Sequence, residues 1–169
     1  MLLLKKQVTK LVKSFVSNNL LIQILFGSQT GNAENLARVI QLNLLNEGIE
    51  SVVSGFDDHA PESVSDMDYL IIVTSTYGDG EAPDNASEWH SYLKFSEGFK
   101  LGHLNFAVLG LGDTYYPHFC QCGKDFDEFL SAHGAQRMLA RLDCDTYYEE
   151  QYGPWLNELI AVLKNKISA

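Results

Sequence analysis

Three apolar runs constrain this chain more than any other feature. Residues 20–26 (LLIQILF), 69–75 (YLIIVTS) and 104–109 (LNFAVL) are short and almost continuous in hydrophobicity. A strand with one wet face alternates apolar and polar residues, so an unbroken run marks a strand covered on both faces. Between the runs lie segments with helical spacing. Residues 34–45 carry Leu36, Val39, Ile40 and Leu44 on one stripe and end at Gly48. Residues 85–95 read as a second helix. Residues 119–133 read as a third, with Phe126, Phe129 and Leu130 inward and a stop at Gly134, and residues 155–167 close the chain. Residues 49–54 and, more weakly, 135–142 supply two further strands. Alternation of this kind predicts an α/β fold, a three-layer, doubly wound, five-stranded parallel sheet with right-handed crossovers.

The chain has 169 residues, enough for one domain with its own core. We assign that domain to residues 20–169. Residues 1–19 differ in character: Leu4, Val8, Leu11, Val12 and Phe15 recur at helical spacing, and Lys5, Lys6, Lys10 and Lys13 lie between them. This amphipathic basic segment is expected to be an extra helix packed on the domain, with a membrane-surface or partner-binding helix as the alternative. The basic residues follow the apolar ones, the reverse of a secretory signal. No apolar run approaches the ~20 residues of a membrane span. Cys120, Cys122 and Cys144 make neither a disulfide framework nor a zinc ligand set. A cytoplasmic protein with buried thiols is therefore expected.

The net formal charge is −10, and because the first 19 residues carry four lysines and no acid, the remainder holds 8 basic against 22 acidic groups, a balance of −14. Nucleic acid is disfavoured as a partner, since phosphate neutralisation needs clustered Lys and Arg. An acidic surface serves solubility, and it also suits docking to a basic partner.

The residues with chemistry fall in three loops, each after a buried strand, where open parallel sheets bind ligands. The first holds Ser28, Gln29, Thr30, Gly31, Asn32 and Ala33, leading into a helix. An anion there meets backbone N–H groups and the positive end of a helix dipole, with hydroxyl and amide side chains as further donors. The loop lacks the lysine of a nucleoside-triphosphate P-loop and the G-x-G-x-x-G of a dinucleotide site. The second loop holds Ser75, Thr76, Tyr77 and Gly78, followed by Asp79, Gly80 and Glu81. The third runs Leu111, Gly112, Asp113, Thr114, Tyr115, Tyr116, Pro117, His118, Phe119 and Cys120. Tyr77 and Tyr116 are placed to face a flat ring on both sides, and Asp79, Glu81, Asp113, Asp143 and Asp145 are candidate acids near it.

These three stretches, S-Q-T-G-N-A at 28–33, S-T-Y-G-D-G at 75–80 and L-G-D-T-Y-Y-P-H-F-C at 111–120, resemble the FMN domains of the diflavin reductases, above all that of the sulfite reductase flavoprotein subunit. The resemblance extends over residues 20–163. It implies a flavodoxin-like sheet of order 2-1-3-4-5, one FMN, and transfer of single electrons. It also implies that residues 28–33 bind the phosphate, 75–78 the ribityl chain and ring, and 111–120 the isoalloxazine. No stretch reads as an FAD- or NADPH-binding unit. The expected role is an electron carrier, reduced by a separate flavin- or nicotinamide-dependent reductase and oxidised by a redox protein with a basic docking face. Other readings are a small flavin-dependent oxidoreductase of the quinone reductase type and a flavin-free interaction or signalling module. A phosphoryl-receiver domain would need an acidic cluster after the first strand, where this chain has G-S-Q-T-G.

Overall fold

A computed structural model describes residues 20–169, so the amphipathic segment 1–19 lies outside the described residues. Six strand segments form one parallel sheet. In chain order they are β1 (Ile22–Gly27), β2 (Ser51–Gly55), β3 (Tyr69–Ser75), β4 (Asn105–Leu111), β5 (Gln136–Arg137) and β6 (Leu142–Cys144). Their spatial order is β2-β1-β3-β4-β5, with β6 also paired to β4. Helices α1 (Asn32–Asn46), α2 (Ser87–Phe95), α3 (Gln121–Ala132) and α4 (Tyr152–Ser168) cover the two faces.

The continuous apolar runs are explained by the two cores they separate. Side chains alternate across a strand, so Ile71 and Val73 of β3 join Leu36, Ile40 and Leu44 of α1 and Leu159 and Leu163 of α4. Leu70 and Ile72 join Trp89 of α2 and Phe126 and Leu130 of α3 on the other side. A polar residue at any of these strand positions would lose its water without gaining a partner.

Four sequence expectations change. Val39 is 37% exposed, because the inward stripe of α1 runs through Ala33, Leu36, Ala37, Ile40 and Leu44, and Val39 lies on its flank. Helix α3 starts at Gln121, because Cys120 takes a left-handed φ of 54° that no helix continues. Two 3₁₀ turns, Phe56–Asp58 and Pro61–Asp66, fill the β2–β3 connection, where the sequence pattern predicts no element. The fifth strand, expected over residues 135–142, is split. Phe106 of β4 pairs with Arg137 and Leu109 pairs with Leu142, so the edge segment takes two residues more than its partner. Two side chains hold this bulge. Trp155 Nε1 donates to the Ala140 carbonyl at 3.0 Å, and Arg141 reaches Asp127 of α3 and Asp143 of β6 at 3.0 and 2.8 Å.

Candidate functional site

The C-terminal ends of β1, β3, β4 and β6 open on a cleft of about 520 Å³. Its first wall is the start of α1. Gly31, at φ 92°, forms the N-cap, and no side chain caps the helix there. Ser28 Oγ instead accepts from Gly31 N–H at 2.8 Å, bending the loop so that Thr30 and Asn32 line the cleft. The loop is fastened from outside. Ser28 N–H donates to Asn85 Oδ1 at 3.0 Å, and Gln29 exchanges two bonds with Asp84, 3.3 Å to its carboxylate and 3.2 Å from its N–H. Gln29 and Ser28 are thus loop-shaping residues outside the lining, while Ala33 turns its methyl into the core.

At the end of β3, Ser75, Thr76 and Gly78 line the cleft. Thr76 Oγ1 accepts from Cys122 N–H at 3.1 Å, so this hydroxyl occupies an otherwise open donor at the start of α3. Tyr77 and Glu81 exchange backbone bonds of 2.8 Å in each direction, closing a tight hairpin. Gly78 and Gly80 take φ values of 50° and 100° in that hairpin, which favour glycine. Tyr77 is 49% exposed and lies outside the lining, beside Gly78.

The loop after β4 contributes most: Leu111, Gly112, Asp113, Tyr116, His118, Phe119 and Cys120 line the cleft, whereas Thr114, Tyr115 and Pro117 do not. Gly112 is fixed by space. A Cβ there would stand 2.9 Å from the backbone nitrogen and the Sγ of Cys120 and 3.0 Å from the Phe119 ring. Tyr115 is 90% exposed and sits 6.1 Å from Tyr116, ring centre to ring centre. Asp113 makes the turn between them, its carboxylate accepting from Tyr115 N–H at 2.8 Å.

The fourth wall is Asp145, which the sequence marks only as a candidate acid near the ring, with Thr146 and Tyr148, which are not among the sequence-assigned residues. A signal for it exists: residues 142–144 end a strand, and a strand end on this edge of the sheet feeds the cleft. Asp145 joins two walls, accepting from Thr114 Oγ1 at 2.6 Å, Thr114 N–H at 3.2 Å and Thr146 N–H at 2.8 Å. The Thr114 hydroxyl, followed by the two backbone donors, holds its carboxyl below the usual aspartate range. Asp143, by contrast, is spent on Arg141 and lies outside the lining. Burial pushes the thiols up, Cys120 and Cys122 to about 12 and Cys144 to about 11, so all three are protonated at neutral pH. Burial, then the neighbouring Glu149, also raises the phenol of Tyr148.

Among the described residues, no lysine or arginine lines the cleft. At the α1 wall an anion meets neutral hydroxyls, amides and an uncapped helix N-terminus, while the Asp113 and Asp145 carboxylates line other walls, and a planar ring meets a glycine cradle and aromatic edges. The family comparison agrees with that geometry, matching Flavodoxin over residues 24–155. The chain belongs to the flavodoxin family. FMN is the cofactor of that family, and Thr30, Asn32 and the Gly112 cradle fit such a group. Among curated relatives, the flavodoxin domain is 40% identical over 147 residues to the sulfite reductase [NADPH] flavoprotein alpha-component of Vibrio cholerae, covering 87% of this chain and 24% of that one. The Bacillus subtilis protein of the same name is 42% identical over 139 residues, covering 82% and 23%. The chain therefore spans about a quarter of the length of these relatives. Among solved structures, a flavodoxin from Streptococcus pneumoniae TIGR4 superposes with a TM-score of 0.76 at 30% identity, covering 86% of this chain and 99% of that one. A cysteine-to-alanine mutant of the flavodoxin from Pseudomonas aeruginosa gives 0.72 at 30% identity, covering 85% and 99%.

Proposed function

We propose that this flavodoxin domain binds one FMN and works as an electron carrier, taking electrons from a separate flavin- or nicotinamide-dependent reductase and delivering them singly to a protein acceptor, in the manner of a sulfite reductase flavoprotein. The observation that carries the reading is the convergence of four strand-end loops on one cleft with an uncapped helix start and, among the described residues, no lysine or arginine in its lining. When bound, FMN supplies the redox chemistry, and the protein supplies binding, orientation and electrostatics.

Thr30 and Asn32, with the first N–H groups of α1, hold the phosphate by donation rather than by charge. Ser75 and Thr76 meet the ribityl chain. Tyr116, which lines the cleft, would cover one face of the ring, and Tyr77, outside the lining beside Gly78, would have to turn inward to cover the other. Gly112 lets the loop after β4 approach the ring without a Cβ between them. The rim carries Asp79, Glu81 and Asp113, which present negative charge to an incoming basic face and speed encounter. A cytoplasmic location suits the three unpaired thiols, and no described helix is long and apolar enough to cross a membrane.

Acid release and chromatography test the cofactor. One FMN per chain is expected, and FAD, or no flavin after reconstitution, overturns the reading. The docking face is tested by the second-order rate to a basic acceptor across a salt series. A rate that falls with salt, and falls less in an Asp79→Asn/Glu81→Gln variant, is expected because screening shortens the reach of surface charge. A rate that is flat in salt overturns electrostatic steering.

A further inference from the structure

A second concavity lies at the opposite end of the sheet from the cleft, where β1 and β2 begin and α1 ends. Its volume is about 300 Å³, and Leu21, Leu42, Leu45 and Val52 form its apolar lining. Those four side chains are 53%, 57%, 58% and 44% exposed. Single exposed leucines are ordinary, but four lining one groove leave an apolar patch that calls for a cover. Gln41 Nε2 donates to the Ser51 carbonyl at 3.0 Å and ties the helix side of the groove to the edge strand. Glu50 stands among the lining residues, and nearby Glu47 pairs with Lys164 of α4.

We propose that residues 4–15 of this same chain cover the groove as an amphipathic helix. Leu4, Val8, Leu11, Val12 and Phe15 repeat at the spacing of a single helical stripe, and Lys5, Lys6, Lys10 and Lys13 fall between them. Twelve residues make a helix of about 18 Å. Ser17, Asn18 and Asn19 follow, residue types that end helices and make turns. The tether is short, because Leu21, a lining residue, lies six positions after Phe15, within about 20 Å of extended chain. Covalent linkage makes this encounter intramolecular and favours it over any separate occupant with the same pattern. Charge agrees, since four lysines approach a body with a balance of −14. The groove is remote from the strand ends that build the cleft, so its occupant neither blocks nor forms the flavin site.

Hydrogen exchange on the full, FMN-loaded chain tests the proposal, because a docked helix protects its amides. Residues 4–15 are expected to exchange slowly. A Leu42→Asp/Leu45→Asp variant, altered at two exposed positions, is expected to raise their exchange about tenfold or more while leaving FMN affinity and the protection of β1 and β3 unchanged. Leu11→Asp, which leaves the domain untouched, is expected to release both the segment and residues 41–45. Rapid exchange of residues 4–15 in the wild type, or protection that survives both variants, overturns the proposal. So does protection that disappears on dilution together with a dimer, or that appears only on anionic vesicles, since these assign the segment to a second copy or to a lipid surface.

Discussion

Replacing Gly112 by alanine adds one methyl where the structure leaves none. The new carbon would stand 2.9 Å from Cys120 N, 2.9 Å from its Sγ and 3.0 Å from Phe119 Cδ2. Two of these neighbours cannot move freely. Cys120 holds a left-handed φ of 54°, and its carbonyl accepts from Lys124 N–H at 3.1 Å as α3 begins. Overfilling of this kind costs about 1–3 kcal/mol. If the fold absorbs the whole cost, the apo-protein melts about 2–12 °C lower, at roughly 2–4 °C per kcal/mol for a chain of this size. If the loop shifts instead, the same cost falls on the cofactor and weakens FMN binding about 5- to 140-fold, at 1.4 kcal/mol per tenfold. Thermal unfolding without flavin and a fluorescence titration with FMN read the two shares separately, and their sum should lie in the stated range. Gly153→Ala is the control. Its Cβ meets nothing within 4 Å, so the variant should match or slightly exceed the wild type in stability. If Gly112→Ala leaves both melting and affinity unchanged, the cradle argument is wrong.

Asp145→Ala removes the two Thr114 bonds that join the loop after β4 to the loop after β6, together with the local Thr146 bond, and should weaken FMN binding and lower the melting temperature modestly above about pH 5. In the wild type the carboxyl is depressed below the usual aspartate range, so its contribution to folding is complete above the unfolded pKa of about 3.9 and is lost as pH falls through the lower folded value; thermal unfolding across an acid pH series should show this loss, and the alanine variant should not. Thr30→Val should weaken FMN binding roughly ten- to a hundred-fold, the worth of one bond to a charged group, and an unchanged dissociation constant would put the phosphate elsewhere. The three buried, protonated thiols should resist alkylation in the folded protein and react together on unfolding; rapid labelling of one cysteine in native buffer would contradict its burial.

The centre of the sheet is plain in the sequence because burial on both faces leaves a mark that local chemistry cannot imitate. Residues 69–75 and the apolar part of 104–109 become β3 and β4 almost unchanged. The edge is harder to read. Met138 and Leu139 look like strand residues, but Trp155 and the Arg141–Asp127 pair draw the backbone out of register through contacts with distant elements. Local spacing cannot show a partner 14 residues away. Val39 and Leu44 look equivalent by composition and differ only in angle about α1. In the cleft, Thr30, Asn32, Thr76, Gly112 and Tyr116 can be named from loop position alone. Asp145 is legible only as an acid near the ring, and Thr146 and Tyr148 not at all, because the strand before them has only three residues and its thiol, Cys144, is flanked by the acids Asp143 and Asp145 in place of an apolar run.

The split edge also bears on what happens when many copies of the protein crowd together. An open sheet ends in a row of unpaired amides and carbonyls, and a foreign strand can extend such a row when it is long, straight and regular. Here the row offers two residues at Gln136–Arg137, breaks for four, and resumes for three at Leu142–Cys144 out of step. A strand laid along the first part would have to slip by two residues to continue on the second. Removing the two extra residues would straighten the border and bring it closer to the long, regular edge on which a foreign strand can pair.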